Sequence, residues 1–444
     1  MNFRTISVVA ALLTITGLYA KEHTDSIGSS LNVHDRRTQA VMNNTHMVGE
    51  DGQNRRDSLE RLMGMFYYDQ FRHFQDPRAP YFMFLSKSGN LAFGVGGQLK
   101  LKGYYDWNGS IPSVNFAPYD IPIPPDPANV HNLAATPQST GLFFTLLGTN
   151  ARFGNYMAYF QADFSGYNHT GFRIKKAYLT VGDWTAGYTT TTFEDTKAEP
   201  STVDGAGPNG INSKKNMLVR YMHTFKKHWT IAASLEFPTQ SIDIGTDNQV
   251  AKSNPYIPDV AAFAQYQWGG GHSHLRLSGL LRTLTYRDLV KMQNKRLNGW
   301  ALQISSVLNP VSPLDIFLIG SLGKGHASYT TDLGNGNFDL VPSDVAGELY
   351  APLSTGFVAG VQYFYTPKLY SNIAFSQQVY YPKKQKMDTD SDLYRYGLYA
   401  VGNLFWDITP RFEVGFEYLY GLRRNQDGRH KSADRLMVQM MLSF

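Results

Sequence analysis

The chain has 444 residues, a formal net charge of +5, no cysteine and 14% aromatic residues. The lack of cysteine excludes disulfides, thiol catalysis, thiolate metal sites and a lipid anchor on an amino-terminal cysteine. The charge is too small to indicate a nucleic-acid partner, and no stretch after residue 20 has the 18 apolar residues that a spanning helix needs.

The first residues have the pattern of a secretory signal. Arg4 precedes an apolar run over residues 6–13, and a polar lysine follows Ala20. The run is too short for a spanning helix and is typical of a segment removed on export. We therefore predict a signal peptide over residues 1–20.

Residues 21–89 are predicted to form a periplasmic segment. Asp57 and Glu60 have the spacing of a capping box, and apolar residues follow at helical intervals. The pattern predicts a short helix near residues 57–74, which either packs on the next domain or self-associates.

From residue 90 to 444, apolar side chains recur at every second position in sixteen segments. The last segment shows the pattern best, with one apolar parity and a closing aromatic: Leu436, Val438, Met440, Leu442 and Phe444. Transmembrane barrels have this alternation and an even strand number. No repeat of 40–50 residues supports a propeller. The prediction is an all-β fold, a 16-stranded antiparallel transmembrane β-barrel in the bacterial outer membrane, with a short helical segment before it.

The connections alternate between short turns and longer loops, as expected when the short turns are periplasmic. Two of the predicted long external loops cover residues 285–297 and 421–434. The third external loop, 192–215, contains a glycine-rich stretch that would let it fold into the pore. Its acidic residues are candidates for a constriction, unless this is an ordinary solvated loop: Asp195, Glu199 and Asp204.

Sixteen strands enclose a lumen too wide to be filled by wall side chains, which predicts a diffusion channel for small hydrophilic solutes. Basic residues dominate the inward parities: Lys100, Lys102, Arg173, Lys175, Arg220, Arg276, Arg282 and Arg395. Because Arg and Lys in a pore favour anions, we expect anionic organic acids to be preferred. Basic residues occupy both parities near Lys176, so the orientation of Arg173 relative to Lys176 is left open.

Catalytic motifs are missing from the sequence. It has no G-x-S-x-G, H-E-x-x-H or Walker A pattern, so we predict no enzyme activity, no cofactor and no metal site. One alternative is a structural or adhesive barrel whose loops bind a surface. Another is an outer-membrane lipid hydrolase, for which no serine is indicated.

Several segments resemble the DcaP family of outer-membrane porins. They are residues 88–97, the run RIKKAYLTVGDWTAGYTTTTF at 173–193, the third-loop segment 202–210, and the terminal Phe444. The resemblance implies a homotrimer of sixteen-stranded barrels in outer-membrane lipid, a third loop folded into the pore, and uptake of small, often negatively charged organic acids. It also implies an amino-terminal helix or coiled coil, although no long heptad array is found here.

Overall fold

The computed structural model describes residues 46–47, 82–86, 90–111, 113–152, 154–165, 171–226, 228–245, 249–383 and 393–444. The predicted signal peptide and the helix near residues 57–74 lie outside these ranges. None of the short helical turns in the described residues is long or apolar enough to cross a membrane.

Sixteen strands form a closed antiparallel barrel, which confirms the predicted fold class. Each strand pairs with the next in chain order, and the last pairs with the first. The strands are β1 Leu91–Trp107, β2 Gly141–Asn150, β3 Gly154–Asp163, β4 Arg173–Val181, β5 Trp184–Thr190, β6 Lys215–Phe225, β7 Trp229–Glu236, β8 Asp259–Trp268, β9 Ser273–Asp288, β10 Gln293–Val311, β11 Leu314–Lys324, β12 Leu353–Thr366, β13 Leu369–Tyr381, β14 Tyr394–Thr409, β15 Phe412–Asn425 and β16 His430–Ser443.

The two faces of each strand have opposite character. In β7, Ile231 and Leu235 are 41% and 58% exposed, whereas Thr230 and Glu236 are fully buried. A soluble protein would bury the apolar face. A transmembrane barrel instead exposes its apolar face on the outside, where it contacts the lipid hydrocarbon.

In the described ranges six shorter strands accompany the barrel, and one of them extends its seam. Phe82–Leu85 pairs with the periplasmic half of β1, just below the point where the chain end pairs with Gly97. There the Phe444 amide donates to the Gly97 carbonyl at 3.0 Å. The other short strands are His46–Met47, Asn132–Thr136, Val250–Lys252, Val341–Pro342 and Leu349–Tyr350.

The wall is uneven in height. Strands β2 to β5 have 10, 10, 9 and 7 residues, whereas β9 and β10 have 16 and 19. The predicted long loops at 285–297 and 421–434 are wrong in extent, because strands continue through most of both ranges and leave loops of 289–292 and 426–429. These extensions carry polar residues on both faces, so apolar alternation could not reveal them, although backbone pairing holds them in the sheet.

Candidate pore and its third external loop

The third external loop, between β5 and β6, lies inside the barrel and follows the inner wall. Glu236 on β7 accepts hydrogen bonds from the Thr191 hydroxyl and the Thr192 amide. Further along, Glu417 on β15 accepts from the amides of Val203 and Asp204, both at 2.7 Å. The loop is therefore bonded to the inner wall at widely separated strands, β7 and β15.

Asp195 holds the loop against β9 and β10. Its carboxylate accepts from Ser305 Oγ at 2.6 Å and lies 2.8 Å from His274 Nε2 and 3.5 Å from Arg276 Nη1. Arg276 also donates to the Glu194 carbonyl at 3.1 Å and to the Gln265 side chain on β8. All these groups are buried, so Asp195 and Arg276 fasten the loop to the wall rather than line an open passage.

Two glycines allow the loop backbone to approach the wall closely. A Cβ on Gly210 would lie 2.6 Å from the Phe357 carbonyl oxygen and 2.9 Å from that of Gln377. A Cβ on Gly205 would lie 2.8 Å from the Asn115 side-chain oxygen and 3.5 Å from Lys102 Nζ. Only glycine fits at Gly210 without displacement, because its nearest neighbours are backbone atoms.

Arg282 joins the fourth and sixth external loops to the wall. Its guanidinium lies 3.0 Å from Asp259 on β8 and 3.1 Å from Asp339 in the sixth loop. It also donates to the carbonyls of Gly325 and Thr239. Arginine suits this position because its planar fork can serve several acceptors at once.

Arg435 on β16 joins the first external loop to the wall in the same way. It was not among the residues predicted from the sequence to line the pore. Its guanidinium bonds both oxygens of Asp106, at 2.5 and 2.8 Å, and donates to the carbonyls of Val114 and Ile111. Arg435 and Asp106 are directly paired across β16 and β1. Their inward parity and opposite charge were readable once the register of the closing strand was known.

The first, third and sixth loops meet at Asp332. This buried carboxylate accepts from the Tyr119 amide at 2.8 Å, from Asn209 Nδ2 at 3.0 Å and from the Tyr394 hydroxyl at 2.5 Å. The three loops therefore form one bonded body inside the barrel, attached to β14 through Tyr394.

The remaining predicted wall residues differ in exposure. Arg220 is fully buried and donates to the Thr190 carbonyl at 2.9 Å, and Lys102 is only 3% exposed. Arg395 lies at a register irregularity between Tyr394 and Tyr396. Its side chain is exposed, unlike the buried residues at the inward positions of β14.

A β-bulge in β4 explains why the basic residues Arg173, Lys175 and Lys176 occupy both odd and even positions of this strand. Gln161 pairs with Lys176 but the next residue pairs with Ile174, so Lys175 is the extra residue. Asp163 consequently faces both Arg173 at 3.1 Å and Lys175 at 3.3 Å. Lys176 takes the inward position opposite Gln161, and Arg173 remains half exposed at the strand's outer end.

Several lysines of the inner wall and of the third loop are partly exposed. Lys100, Lys175 and Lys176 lie on β1 and β4, and Lys197 and Lys214 lie on the third loop. Lys214 Nζ sits 3.8 Å over the Tyr329 ring. Glu199 is partly exposed in the same loop, whereas Asp195 and Asp204 are buried.

Glu194, in the third loop outside the barrel strands, adds a titratable charge beside these lysines. Burial raises the pKa of Glu194 to about 7, while the charges of Lys215 and Lys176 act in the opposite direction. Its ionisation near neutral pH would change the charge of the surrounding region.

Comparisons with known proteins agree with this architecture. Residues 89–249 match the model of the family described as DcaP outer membrane protein, which confirms the resemblance predicted from the sequence. No curated protein shows significant sequence similarity to the chain. The barrel is similar to the outer membrane channel DcaP of Acinetobacter baumannii, with 19% identity, a TM-score of 0.70, and coverage of 81% of this chain and 99% of that one.

Two more distant structures share the barrel fold. The anion-selective porin from Comamonas acidovorans has 10% identity and a TM-score of 0.50, over 80% of this chain and 100% of that one. OmpT of Vibrio cholerae with its loop L8 deleted gives the same identity, TM-score and coverage. These structures share the fold of a closed outer-membrane barrel with this chain, and the family match covers residues 89–249.

Proposed function

We propose that this outer-membrane barrel, whose residues 89–249 match the DcaP family, is a porin for passive diffusion of small hydrophilic solutes and favours anions. The passage would run between the third loop and the wall formed by β1 to β4. One observation carries the proposal: in an interior where most inward side chains are buried, Lys100, Lys175 and Lys176 of this wall stay partly exposed.

The charge balance supports an anionic preference. On the wall, Lys100, Lys175 and Lys176 are partly exposed, while the neighbouring Asp163 is 2% exposed and bonded to Arg173 and Lys175. Exposed lysines act on a passing ion as point charges, and rings of such residues favour anions. Small carboxylates fit this chemistry better than cations or neutral sugars.

The low wall comprises the short strands β2 to β5 with the adjoining β1 and the strand Phe82–Leu85. We further propose that the outer face of the low wall is the contact surface of a homotrimer. On its outer face four phenylalanines follow one another across adjacent strands, with ring centroids 6.1 to 6.4 Å apart: Phe84, Phe93, Phe144 and Phe160. Stacked aromatic side chains provide apolar contact area at low entropic cost.

Replacing Phe93 and Phe144 by alanine should convert trimers to monomers in detergent, as measured by light scattering. Unchanged trimers would contradict this contact surface.

The permeation proposal is tested by recording from planar bilayers under a KCl gradient. Stepwise current increments on insertion and a zero-current potential of the sign for chloride preference are expected. Cation preference would contradict the anionic part. A folded barrel that inserts without any current steps would contradict the channel and favour the adhesive alternative.

A further inference from the structure

A second charged surface lies on the outside of the barrel, on strands β9 to β11. The strands carry three outward-facing basic side chains at their external ends: Arg287, Arg296 and Lys324. Arg296 and Lys324 are exposed and Arg287 is partly exposed. These three residues, with their polar neighbours Tyr256, Asn294 and Asn298, are called the outer basic patch.

Along the described strands β9 to β11, the outer basic patch has no acidic neighbour on its own face. At the outward positions of β9, β10 and β11 the described residues include no Asp or Glu, because Asp288 and Asp315 point inward and are buried. Lower on the same face, Leu277, Leu281 and Leu302 are 52–63% exposed. The positive charge is thus segregated directly above the apolar belt that faces lipid.

Register fixes the height of these residues. Trp300 is paired with Leu281 on one side and with Lys324 on the other, and an aromatic at this level is typical of a membrane interface. Arg296 lies four residues further out and Asn294 six, where Asn294 is paired with Arg287. At about 3.3 Å per residue and a tilt of about 40°, these levels are roughly 10 and 15 Å above the interface.

The heights of these residues above the interface indicate which kind of lipid headgroup could reach them. The polar region of a phospholipid leaflet is only roughly 5–7 Å thick, which reaches Lys324 but neither arginine. A lipid with a large sugar headgroup bearing phosphates would reach all three. We propose that the outer basic patch binds a phosphorylated glycolipid of the external leaflet.

The side chains of the patch suit that ligand. Arg287 Nη1 donates to Asn294 Oδ1 at 3.0 Å, and the Arg296 guanidinium stacks 5.1 Å from the centre of the Tyr256 ring. These contacts hold the two guanidinium groups in place, and guanidinium binds phosphate oxygens in a fork. Arg296 also donates a hydrogen bond to the Tyr256 hydroxyl. The exposed Asn298 offers hydrogen bonds to sugars, and the 61% exposed Tyr256 adds aromatic surface beside Arg296.

The position on the barrel also suits lipid. β10 is eight strands from β2, so the patch lies on the side opposite the low wall. It remains exposed to lipid whether or not that wall is a contact between copies, and the glycolipid proposal does not depend on the permeation proposal.

The test uses the full-length protein in nonionic detergent and native mass spectrometry. The probe is a truncated lipopolysaccharide that retains its inner phosphorylated sugars, compared with the same lipid after enzymatic dephosphorylation. The unmodified protein should bind the phosphorylated form at least about tenfold more tightly, since each basic residue contributes to attraction for anionic headgroups. Equal binding of both forms would overturn the proposal without any variant.

A matched pair of triple variants locates the site. R287Q/R296Q/K324Q should lose this preference, whereas R152Q/K226Q/K368Q, which removes three exposed basic residues of the periplasmic turns, should keep it. Phosphatidylglycerol and inorganic phosphate should compete at least about tenfold more weakly than the probe. Equal loss in both variants, or equal competition by phosphatidylglycerol, would overturn the assignment.

Discussion

The inward faces of β9 and β4 both carry basic residues, but those of β9 are buried against the loops and those of β4 are partly exposed. On β9, Arg276 and Arg282 are buried, and each serves carboxylates and carbonyls of the inserted loops. On β4, Lys175 and Lys176 stay partly exposed. Inward parity alone therefore does not make a basic residue part of a pore, because Arg276 and Arg282 are bonded to loops folded into the lumen and anchor them.

The chemistry of the two side chains explains this division. Arginine is weakly hydrated and has five donors, so it can be buried against several acceptors. Lysine is a strongly hydrated point charge with a flexible stem. Lys175 and Lys176 accordingly stay partly exposed, whereas Lys102 is only 3% exposed. In the proposed function a permeating anion would therefore meet the lysines, while the arginines hold the loops in place.

The largest expected effect comes from removing an anchor. Arg282→Ala leaves Asp259 and Asp339 buried without their cation, which should cost about 3–5 kcal/mol. The midpoint of guanidinium unfolding in detergent, followed by tryptophan fluorescence, measures the loss. Arg173→Ala, at a half-exposed ion pair, should cost less than about 1 kcal/mol; similar losses at both sites would remove the distinction between anchors and exposed basic residues.

A smaller effect is expected from displacing the third loop. In Gly210→Ala the added methyl meets the Phe357 carbonyl oxygen at 2.6 Å, and the misfit should cost about 1–3 kcal/mol. Because the loop must move from the wall, single-channel conductance should change. Gly402→Ala is the matched control, since nothing lies within 4 Å of its added Cβ. If both variants conduct like the unmodified protein, the loop does not set the width of the passage.

The smallest effect concerns pH. Glu194 is neutral below its pKa of about 7 and negative above it, so raising the pH from 6 to 8 adds negative charge beside Lys176. Chloride preference should therefore be stronger at pH 6 than at pH 8, as measured by zero-current potentials. Glu194→Gln should abolish the difference; a variant with the same pH dependence would assign it to another group.

The barrel could be predicted from the sequence because lipid imposes one rule on every strand. Each outward face must be apolar for about 9–11 residues, and parity shows this without knowledge of any contact. The strand extensions around Arg287 and Asn294 lie beyond the hydrocarbon, so the rule does not apply there. The bulge at Lys175 breaks parity by one residue, and its position is known only from the pairing of β4 with β3.

The interior was harder to predict because it depends on contacts distant in sequence. The glycines of the third loop indicated that it could fold inward, but the partners of Asp195 are about 80 to 110 residues away. The sequence also could not show that Arg220, Arg276 and Arg282 are buried by loops. Arg435 shows the same limit, since Asp106 is 329 residues away.

The most direct test of the central claim compares selectivity after charge removal at two places. In K100Q/K175Q/K176Q the chloride-to-potassium permeability ratio should fall at least about twofold, because the charges next to the passage are gone. In K226Q/K368Q, where the lysines are exposed in periplasmic turns, the ratio should stay unchanged. An unchanged ratio in the first variant, or an equal fall in both, would contradict the claim that the partly exposed wall lysines select the solute.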